Sequence, residues 1–138
     1  MLMGETVLVI VPARGGSKGV RLKNIQPVMG VPLVTLVGRV VQRLPYVDRA
    51  VDSTDHPEIA RISQEAGLDV PFLRPEEISG DIISDVQVLH HALLATEALD
   101  RKTYDIVVML QPTCPLRKPE QVTACVEKLI QGGFDAVW

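Results

Sequence analysis

The sequence predicts a three-layer α/β fold, in which a mostly parallel sheet lies between two layers of helices. Residues 6–11 (TVLVIV) and 105–110 (DIVVML) are continuous apolar runs rich in β-branched residues, typical of strands buried on both faces. Segments with apolar residues at helical spacing separate the runs. Because strands and helices alternate about five times, we expect consecutive βαβ units.

The first half of the chain supplies two of these units. After the strand at residues 6–11, apolar residues recur at helical spacing over residues 33–44, and Pro45 is the expected stop. Residues 48–54 predict a second strand. A second helix is expected to start with Asp55 as its cap, and Gly67 is its expected end.

The second half repeats the pattern. Residues 70–75 predict a short extended piece, and Ser84 with Gln87 forms a capping box that opens a third helix. The strand at residues 105–110 follows. Pro119 then starts a helix that Gly132 and Gly133 end. The last residues, 134–138 (FDAVW), predict one more strand, so we expect residues 1–138 to be a single α/β domain that is truncated at its C-terminus.

Composition narrows the class of protein. The chain has 138 residues, of which 46% are hydrophobic, so it can bury a core. Its net charge of −3 argues against a general nucleic-acid binder. No apolar stretch is long enough to span a membrane, and no basic leader precedes the first apolar run. Cys114 and Cys125 do not suggest a disulfide framework and are expected to be small, buried or half-buried residues. A cytoplasmic location is the simplest expectation.

The loop after the first strand is the strongest candidate site, because ligands of parallel α/β sheets bind beyond the carboxyl ends of the strands. Glycine there lets backbone N–H groups approach an anion closely, and the cations match the charge of a triphosphate. The residues concerned are the glycines Gly15, Gly16 and Gly19, the cations Arg14, Lys18, Arg21 and Lys23, and the amide Asn24.

Two well-known phosphate loops do not match. The P-loop requires a glycine, four residues, and then Gly-Lys followed by Ser or Thr, which this loop lacks. The dinucleotide fingerprint requires a glycine spacing that Gly15, Gly16 and Gly19 do not have. On composition alone a solvated basic loop is the alternative, and its position after a buried strand argues against that alternative.

Four stretches resemble the acylneuraminate cytidylyltransferases, also called CMP-N-acylneuraminate synthetases. The first is IVPARGGSKGVRLKNI at residues 10–25, which is similar to the family's signature. It is followed in the same order by DSTDHPEIA at 52–60, VPFLRPEEISGD at 70–81 and LQPTCPLR at 110–117. The four together span nearly the whole chain. The resemblance implies a Rossmann-like fold of the nucleotide-diphospho-sugar transferase type.

The resemblance also implies an activity, in which the chain activates a sialic-type (nonulosonic) acid with CTP and releases pyrophosphate. Arg14, Lys23 and Asn24 would contact the triphosphate, with Arg14 and Lys23 as the catalytic cations. Ser17 and Lys18 would line the same loop. Catalysis of such a step consists mostly of positioning and of stabilising charge on phosphoryl oxygens.

The same resemblance implies roles for residues outside this loop. Arg74 would lie near the cytidine with Ser84 close by. The family's base-reading serine aligns with Asp85, a departure that leaves the cytosine contact open between Ser84 and backbone groups. Gln111 would contact the sugar acid, and Arg117 nearby would face a carboxylate. For Ser84 the competing role is a helix cap, and for Arg117 it is a surface or helix-start contact.

Several polar residues have more than one possible role. Asp52 and Asp55 flank the end of the second strand, where a carboxylate could approach a metal, although capping is the main expectation for Asp55. His56 is expected at a helix start. Of the two histidines on the third helix, we expect one to be packed and one to be solvated. Cys114 replaces the family's usual serine and is not expected to be a nucleophile.

The resemblance finally implies Mg²⁺, held in the family by two aspartates that would lie beyond residue 138, and a homodimer. This chain would therefore be the CTP-binding half of an enzyme, with weak or no turnover alone. Related hypotheses keep this activity but name Kdo, pseudaminate or legionaminate as the sugar acid. Two alternatives from other classes are a non-catalytic nucleotide-binding module and an α/β domain that uses its basic loop to contact a partner.

Overall fold

The computed structural model describes all residues 1–138. The chain forms five strands and four helices. In chain order they are β1 (Val7–Pro12), β2 (Pro27–Val28), β3 (Val31–Pro32), α1 (Leu33–Val41), β4 (Arg49–Ser53), α2 (Pro57–Glu65), α3 (Asp85–Asp100), β5 (Ile106–Met109) and α4 (Pro119–Gly132). Short 3-10 turns at Lys23–Ile25 and Glu76–Ile78 complete the regular structure.

Three strands form the central parallel sheet, in the order β4-β1-β5. Leu8 of β1 lies opposite Arg49 of β4, and Val7 lies opposite Ile106 of β5. Since β1 lies in the middle, its two neighbours and the helices on both faces bury residues 7–11 completely, which explains why this run is apolar without alternation. The predicted parallel α/β fold is confirmed.

Alternate residues of β1 point into two separate cores. Val7, Val9 and Val11 pack with residues of α1 and α4 on one face. Leu8 and Ile10 pack with α3 on the other face. Helices therefore cover both faces of the sheet, and the three-layer arrangement is confirmed.

Helix α1 ends earlier than the stop at Pro45 suggests. After Val41 the chain changes to tighter i→i−3 hydrogen bonds, from the Arg43 N–H to the Val40 carbonyl and from the Leu44 N–H to the Val41 carbonyl. Such a last turn satisfies carbonyls at a helix end. Proline therefore limits how far α1 extends without marking its last residue.

The structure differs from the sequence-based prediction at two places where strands are concerned. The strand predicted at residues 134–138 is wrong: this segment has no ladder partner, and the Phe134 N–H instead closes α4 by donating to the Leu129 carbonyl. An apolar run becomes a strand only where a neighbour pairs with it. Conversely, sequence reasoning missed the hairpin of β2 and β3. Its two turn residues, Met29 and Gly30, both have positive φ, as the favoured two-residue hairpin turn requires.

None of the four helices combines the length and the apolarity that crossing a bilayer requires.

Candidate functional site

A cavity of about 320 Å³ opens beyond the carboxyl ends of the central strands. This is where parallel α/β sheets bind ligands. Most of the side chains that line it are polar. The lining residues are Pro12, Arg14, Ser17, Lys23, Asn24, Arg74, Gly80, Asp81, Ile83, Asp85, Val88, Gln111, Pro112 and Thr113.

The cavity brings together residues that the sequence separates by almost 100 positions. Six of the predicted site residues line it, namely Arg14, Ser17, Lys23, Asn24, Arg74 and Gln111. Five others do not, namely Gly15, Gly16, Lys18, Ser84 and Arg117.

The loop after β1 is held by its own side chains. The Ser17 hydroxyl donates to the Val20 carbonyl at 2.8 Å and accepts from the Lys23 N–H at 3.1 Å. The buried Asn24 amide donates to the Arg14 carbonyl at 3.0 Å. Gly19 has φ +81°, a conformation that favours glycine. Ser17 and Asn24 therefore fix the shape of the loop as well as lining the cavity.

The loop cations differ in whether an acid pairs with them. Arg14 and Lys18 both bind Asp81, at 2.7 and 2.8 Å. Hydrogen bonds from Lys18 and Arg14 lower the pKa of Asp81. The half-buried Lys23 lines the cavity without a carboxylate within salt-bridge distance. Lys23 is therefore the loop cation in the cavity that is free to bind a ligand anion.

Sequence reasoning missed Asp81. It lies 67 residues after Arg14, so no local spacing links the two. Only the turn at residues 81–82, which precedes α3, brings its carboxylate over the loop. The one available signal was that this acid ends the third stretch carrying the family resemblance.

Arg74 is buried, with 6% of its surface exposed. Its guanidinium donates from Nη2 to the Ser53 carbonyl at 2.7 Å and from Nε to the Ser53 hydroxyl at 3.1 Å. Its backbone N–H donates to the Thr54 carbonyl at 2.7 Å. Burial lowers the pKa of Arg74, and attraction to the Asp55 and Asp52 carboxylates opposes this. The end of β4 therefore places one rigid guanidinium in the cavity.

The opposite wall carries a carboxylate and an amide. Gln111 Nε2 donates to Asp85 Oδ2 at 3.3 Å. Ser84 lies outside the cavity and caps α3, because its hydroxyl pairs with Gln87 in the predicted capping box. Arg117 Nη2 donates to the Gln111 carbonyl at 3.1 Å, so this arginine supports the Gln111 backbone from outside the cavity. Asp85, at the position of the departure noted above, lines the cavity in place of Ser84.

The prediction that Asp55 caps α2 is wrong. His56 is the N-cap, and its Nδ1 accepts from the Glu58 N–H at 3.2 Å. The Asp55 carboxylate points the other way and accepts from the Gly15 N–H at 2.8 Å. The capping position moves by one residue because the loop after β1 passes close enough to bind the aspartate.

The remaining polar candidates lie away from the cavity. Asp52 is fully buried in β4 and accepts from the Ser63 hydroxyl of α2. His91 packs edge-on against Phe72, with ring centroids 5.2 Å apart, whereas His90 is exposed, as expected for this pair. Cys114 is exposed in the loop after β5, contrary to the expectation of a buried or half-buried residue, whereas Cys125 is half-buried as expected.

The carboxylates of the cavity do not fit a magnesium site. No group of three or more His, Cys, Asp or Glu residues could hold a metal ion. Asp81 is neutralised by two cations, and Asp85 accepts from Gln111. Mg²⁺ needs carboxylate oxygens that are free to enter its octahedral shell. These carboxylates therefore do not supply the ligands of a metal ion.

Comparison with known proteins shows which family the chain belongs to. A family model described as cytidylyltransferase matches residues 8–137. CMP-N,N'-diacetyllegionaminic acid synthase of Legionella pneumophila is 33% identical over 88% of this chain and 52% of its own length. N-acylneuraminate cytidylyltransferase A of Danio rerio is 33% identical over 94% of this chain and 29% of its own length.

A solved structure shares the fold. CMP:2-keto-3-deoxy-manno-octonic acid synthetase complexed with CTP superposes with a TM-score of 0.73 at 20% identity, over 94% of this chain and 49% of that one. The chain thus spans about half the length of the Legionella relative and of this structural neighbour, and less of the zebrafish relative.

Proposed function

Because the chain belongs to the cytidylyltransferase family, we propose that its cavity binds CTP and that it forms the nucleotide-binding part of an enzyme that activates a sialic-type sugar acid. One observation carries the proposal: Arg14, Lys23 and Arg74 converge on a single cavity at the strand ends. The cavity is polar and adjoins a glycine-containing loop, as a polyphosphate site requires.

Arg14 and Lys23 have the roles of catalytic cations in this proposal. A hydroxyl oxygen of the sugar acid forms a bond to the α-phosphorus of CTP and gives up its proton to solvent, and the bond from that phosphorus to the bridging oxygen breaks. Pyrophosphate leaves with the negative charge that develops on this oxygen. Arg14 offers a planar fork and Lys23 a point charge toward the leaving group, which stabilises the transition state.

The remaining site residues divide between the two ends of CTP. Ser17, Lys18, Asn24 and the N–H groups of Gly15 and Gly16 belong to the polyphosphate loop. Arg74 lies toward the cytidine, with Ser84 at the start of α3. Gln111 belongs to the sugar-acid side, where the resemblance places it, and Arg117 supports it. The sugar acid belongs to the nonulosonic class, with pseudaminate and legionaminate as related candidates and the octulosonic acid Kdo as the least favoured one.

Four further features belong to the proposal. Residues 1–138 form one nucleotide-binding domain. A magnesium ion, where the complete enzyme uses one, would be held by carboxylates other than those of the described cavity. The complete enzyme is a homodimer. It acts in the cytoplasm, without nucleic acid or membrane as a partner.

Lys23→Ala is expected to weaken CTP binding by about 1.5–3 kcal/mol, the worth of a charge-assisted bond, or roughly 10- to 150-fold. Titration calorimetry with CTP, UTP and ATP measures this and the base preference together. Lys128→Ala removes an exposed lysine of α4 and is the matched control. Equal affinity for the three nucleotides would contradict the cytidine assignment, and unchanged affinity in Lys23→Ala would contradict the polyphosphate site.

A second experiment tests catalysis. With CTP, Mg²⁺ and N-acetylneuraminate, this 138-residue chain is expected to bind CTP but to release pyrophosphate near the background rate, because its carboxylates do not form a metal site. Coupled detection of pyrophosphate measures the rate. Release at the rate of a full-length relative would show that residues 1–138 are sufficient for catalysis.

A further inference from the structure

The end of β4 holds both sides of the cavity. The Ala13 N–H donates to the Ser53 carbonyl at 3.0 Å, which extends the pairing of β1 with β4 into the loop. Arg74 binds Ser53 and Thr54, as described above. Asp55 then reaches the loop itself through its hydrogen bond to the Gly15 N–H at 2.8 Å. The segment from Ser53 to Asp55 therefore sets the spacing between the polyphosphate loop and Arg74.

The contact between Asp55 and Gly15 is built into the packing around it. A Cβ placed on Gly15 would lie 2.7 Å from the Cβ of His56 and 2.9 Å from its Cδ2. Real Cβ atoms do not approach so closely, so the loop lies directly on the start of α2. The position requires glycine because of this close approach, since Gly15 does not have a positive φ.

We propose that Asp55 is a positioning residue for polyphosphate binding, because its carboxylate fixes the Gly15 N–H and thereby the backbone from which Arg14 extends. This inference rests on the proposed function, since it assumes that the loop binds a polyphosphate. Asp55 acts on the backbone and does not line the cavity. It adds a second tie to the loop on the side opposite Asn24, which holds the Arg14 carbonyl.

To position the loop, Asp55 needs only to accept a hydrogen bond from the Gly15 N–H. The negative charge of its carboxylate is not needed for this. A charge behind an anion site opposes anion binding, whereas an acceptor that aligns the backbone assists it. Burial lowers the pKa of the Arg74 guanidinium, and the Asp55 charge opposes this by attraction, without a direct salt bridge between the two. Asparagine, which keeps the acceptor and removes the charge, should therefore preserve polyphosphate binding, whereas alanine should not.

The test uses inorganic triphosphate as the probe, since it reports on the loop without the base. Asp55→Ala is expected to weaken its binding about tenfold, the effect of one lost hydrogen bond. Asp55→Asn should stay within about threefold of the original protein. Asp135→Ala removes an exposed carboxylate outside the cavity and controls for net charge. Equal losses in the alanine and asparagine variants, or no loss in either, would overturn the positioning role.

Amide hydrogen exchange at Gly15 gives a readout that does not depend on any ligand. Exchange should be slow in the original protein and in Asp55→Asn, and faster in Asp55→Ala. If the original protein binds neither CTP nor triphosphate, the proposed function fails and the polyphosphate role of Asp55 fails with it. If CTP binds and the variants match the original protein in both measurements, the positioning role alone fails.

A companion variant tests the packing. Gly15→Ala should weaken triphosphate binding at least tenfold, and adding His56→Gly should restore most of the affinity. His56→Ala should not restore it, because the closest contact is with the His56 Cβ, which alanine retains. Restoration by alanine as well as glycine would contradict the packing argument.

Discussion

Replacing Gly38 by valine is expected to destabilise the protein by about 3 kcal/mol, the upper part of the range for overpacked cores. A Cβ on Gly38 would lie 2.4 Å from the Ala66 carbonyl oxygen and 2.9 Å from the Ala66 Cβ. The nearest of these atoms, the Ala66 carbonyl oxygen, belongs to the backbone. Unlike the end of a flexible side chain, it cannot rotate away from the added Cβ. The two helices α1 and α2 would have to separate.

That separation would break a second interaction. Gln42 Nε2 donates to the same Ala66 carbonyl at 3.1 Å, so one oxygen fixes both the close approach and the end of α1. The modest gain in helix propensity on replacing glycine opposes the clash only in part. Because a domain of this size is stable by about 5–15 kcal/mol in total, the loss should be large.

Thermal unfolding measures this prediction. A loss of about 3 kcal/mol corresponds to a Tm lower by roughly 10 °C for a chain of this length. Arg39→Val is the matched control, because it places the same side chain at the next, exposed position of α1; surface changes of this kind usually alter stability by less than about 0.5 kcal/mol. Similar Tm values for the two variants would show that α1 and α2 do not approach as described.

The second large effect concerns the pH dependence of stability and the buried Asp52. Its Oδ2 accepts from the Ser63 hydroxyl, but its Oδ1 has no hydrogen-bond partner. Burial raises the pKa of Asp52 to about 7, and the Ser63 hydrogen bond and the Arg74 charge offset only part of that increase. The fold therefore favours the protonated carboxyl.

The direction of the effect follows from the proton balance. An aspartate in the unfolded chain has a pKa near 3.9, so between about pH 4 and pH 7 the folded protein holds a proton that the unfolded chain lacks. The contribution of Asp52 is therefore fully present below about pH 4 and is lost as the pH rises through 7. We expect about 2–4 kcal/mol of stability to be lost through this group over that range.

Asp52→Asn removes the titration and can still accept from Ser63. Compared with the original protein, it should be similar or slightly less stable at pH 4.5 and more stable at pH 8, by urea unfolding at each pH. Asp105→Asn is a control, because the pKa of Asp105 shifts in the opposite direction to that of Asp52. Asp105 accepts hydrogen bonds from the Thr6 hydroxyl and N–H, which lower its pKa. The contribution of Asp105 to stability is therefore present at neutral pH and lost in acid. Parallel pH profiles for the original protein and Asp52→Asn would contradict the raised pKa.

Local patterns predicted most of the helices and strands because their causes are local. Residues 7–11 are all apolar, so both faces of this strand are apolar, as is typical of a central strand of a parallel sheet. Ser84 and Gln87 form their capping box within a single turn. The hairpin at β2 and β3 was missed because its strands have two residues each, although the two-residue turn ending in Gly30 was a usable signal.

The site was predicted in part. The loop cations were found because their loop follows a strand, and the ends of parallel strands meet at one edge, where ligands bind. Gln111 was found through the family resemblance. The salt bridges of Asp81, the hydrogen bond of Asp55 to Gly15 and the Asp85–Gln111 pair were not. Each depends on how separate segments of the chain pack, and no local spacing records it.

The sequence by itself thus determined the order of strands and helices, the buried centre of the sheet and the position of the cationic loop, because propensity, apolar pattern and turn chemistry act within a few residues. Only the tertiary structure decided which charges are paired and which are free. Lys23 has no carboxylate partner, whereas Arg14 is paired with Asp81, which lies across the loop. The salt bridges of Asp81 require that the fold bring atoms from distant parts of the chain within 3 Å of each other. The spacing of residues along the sequence does not specify such contacts.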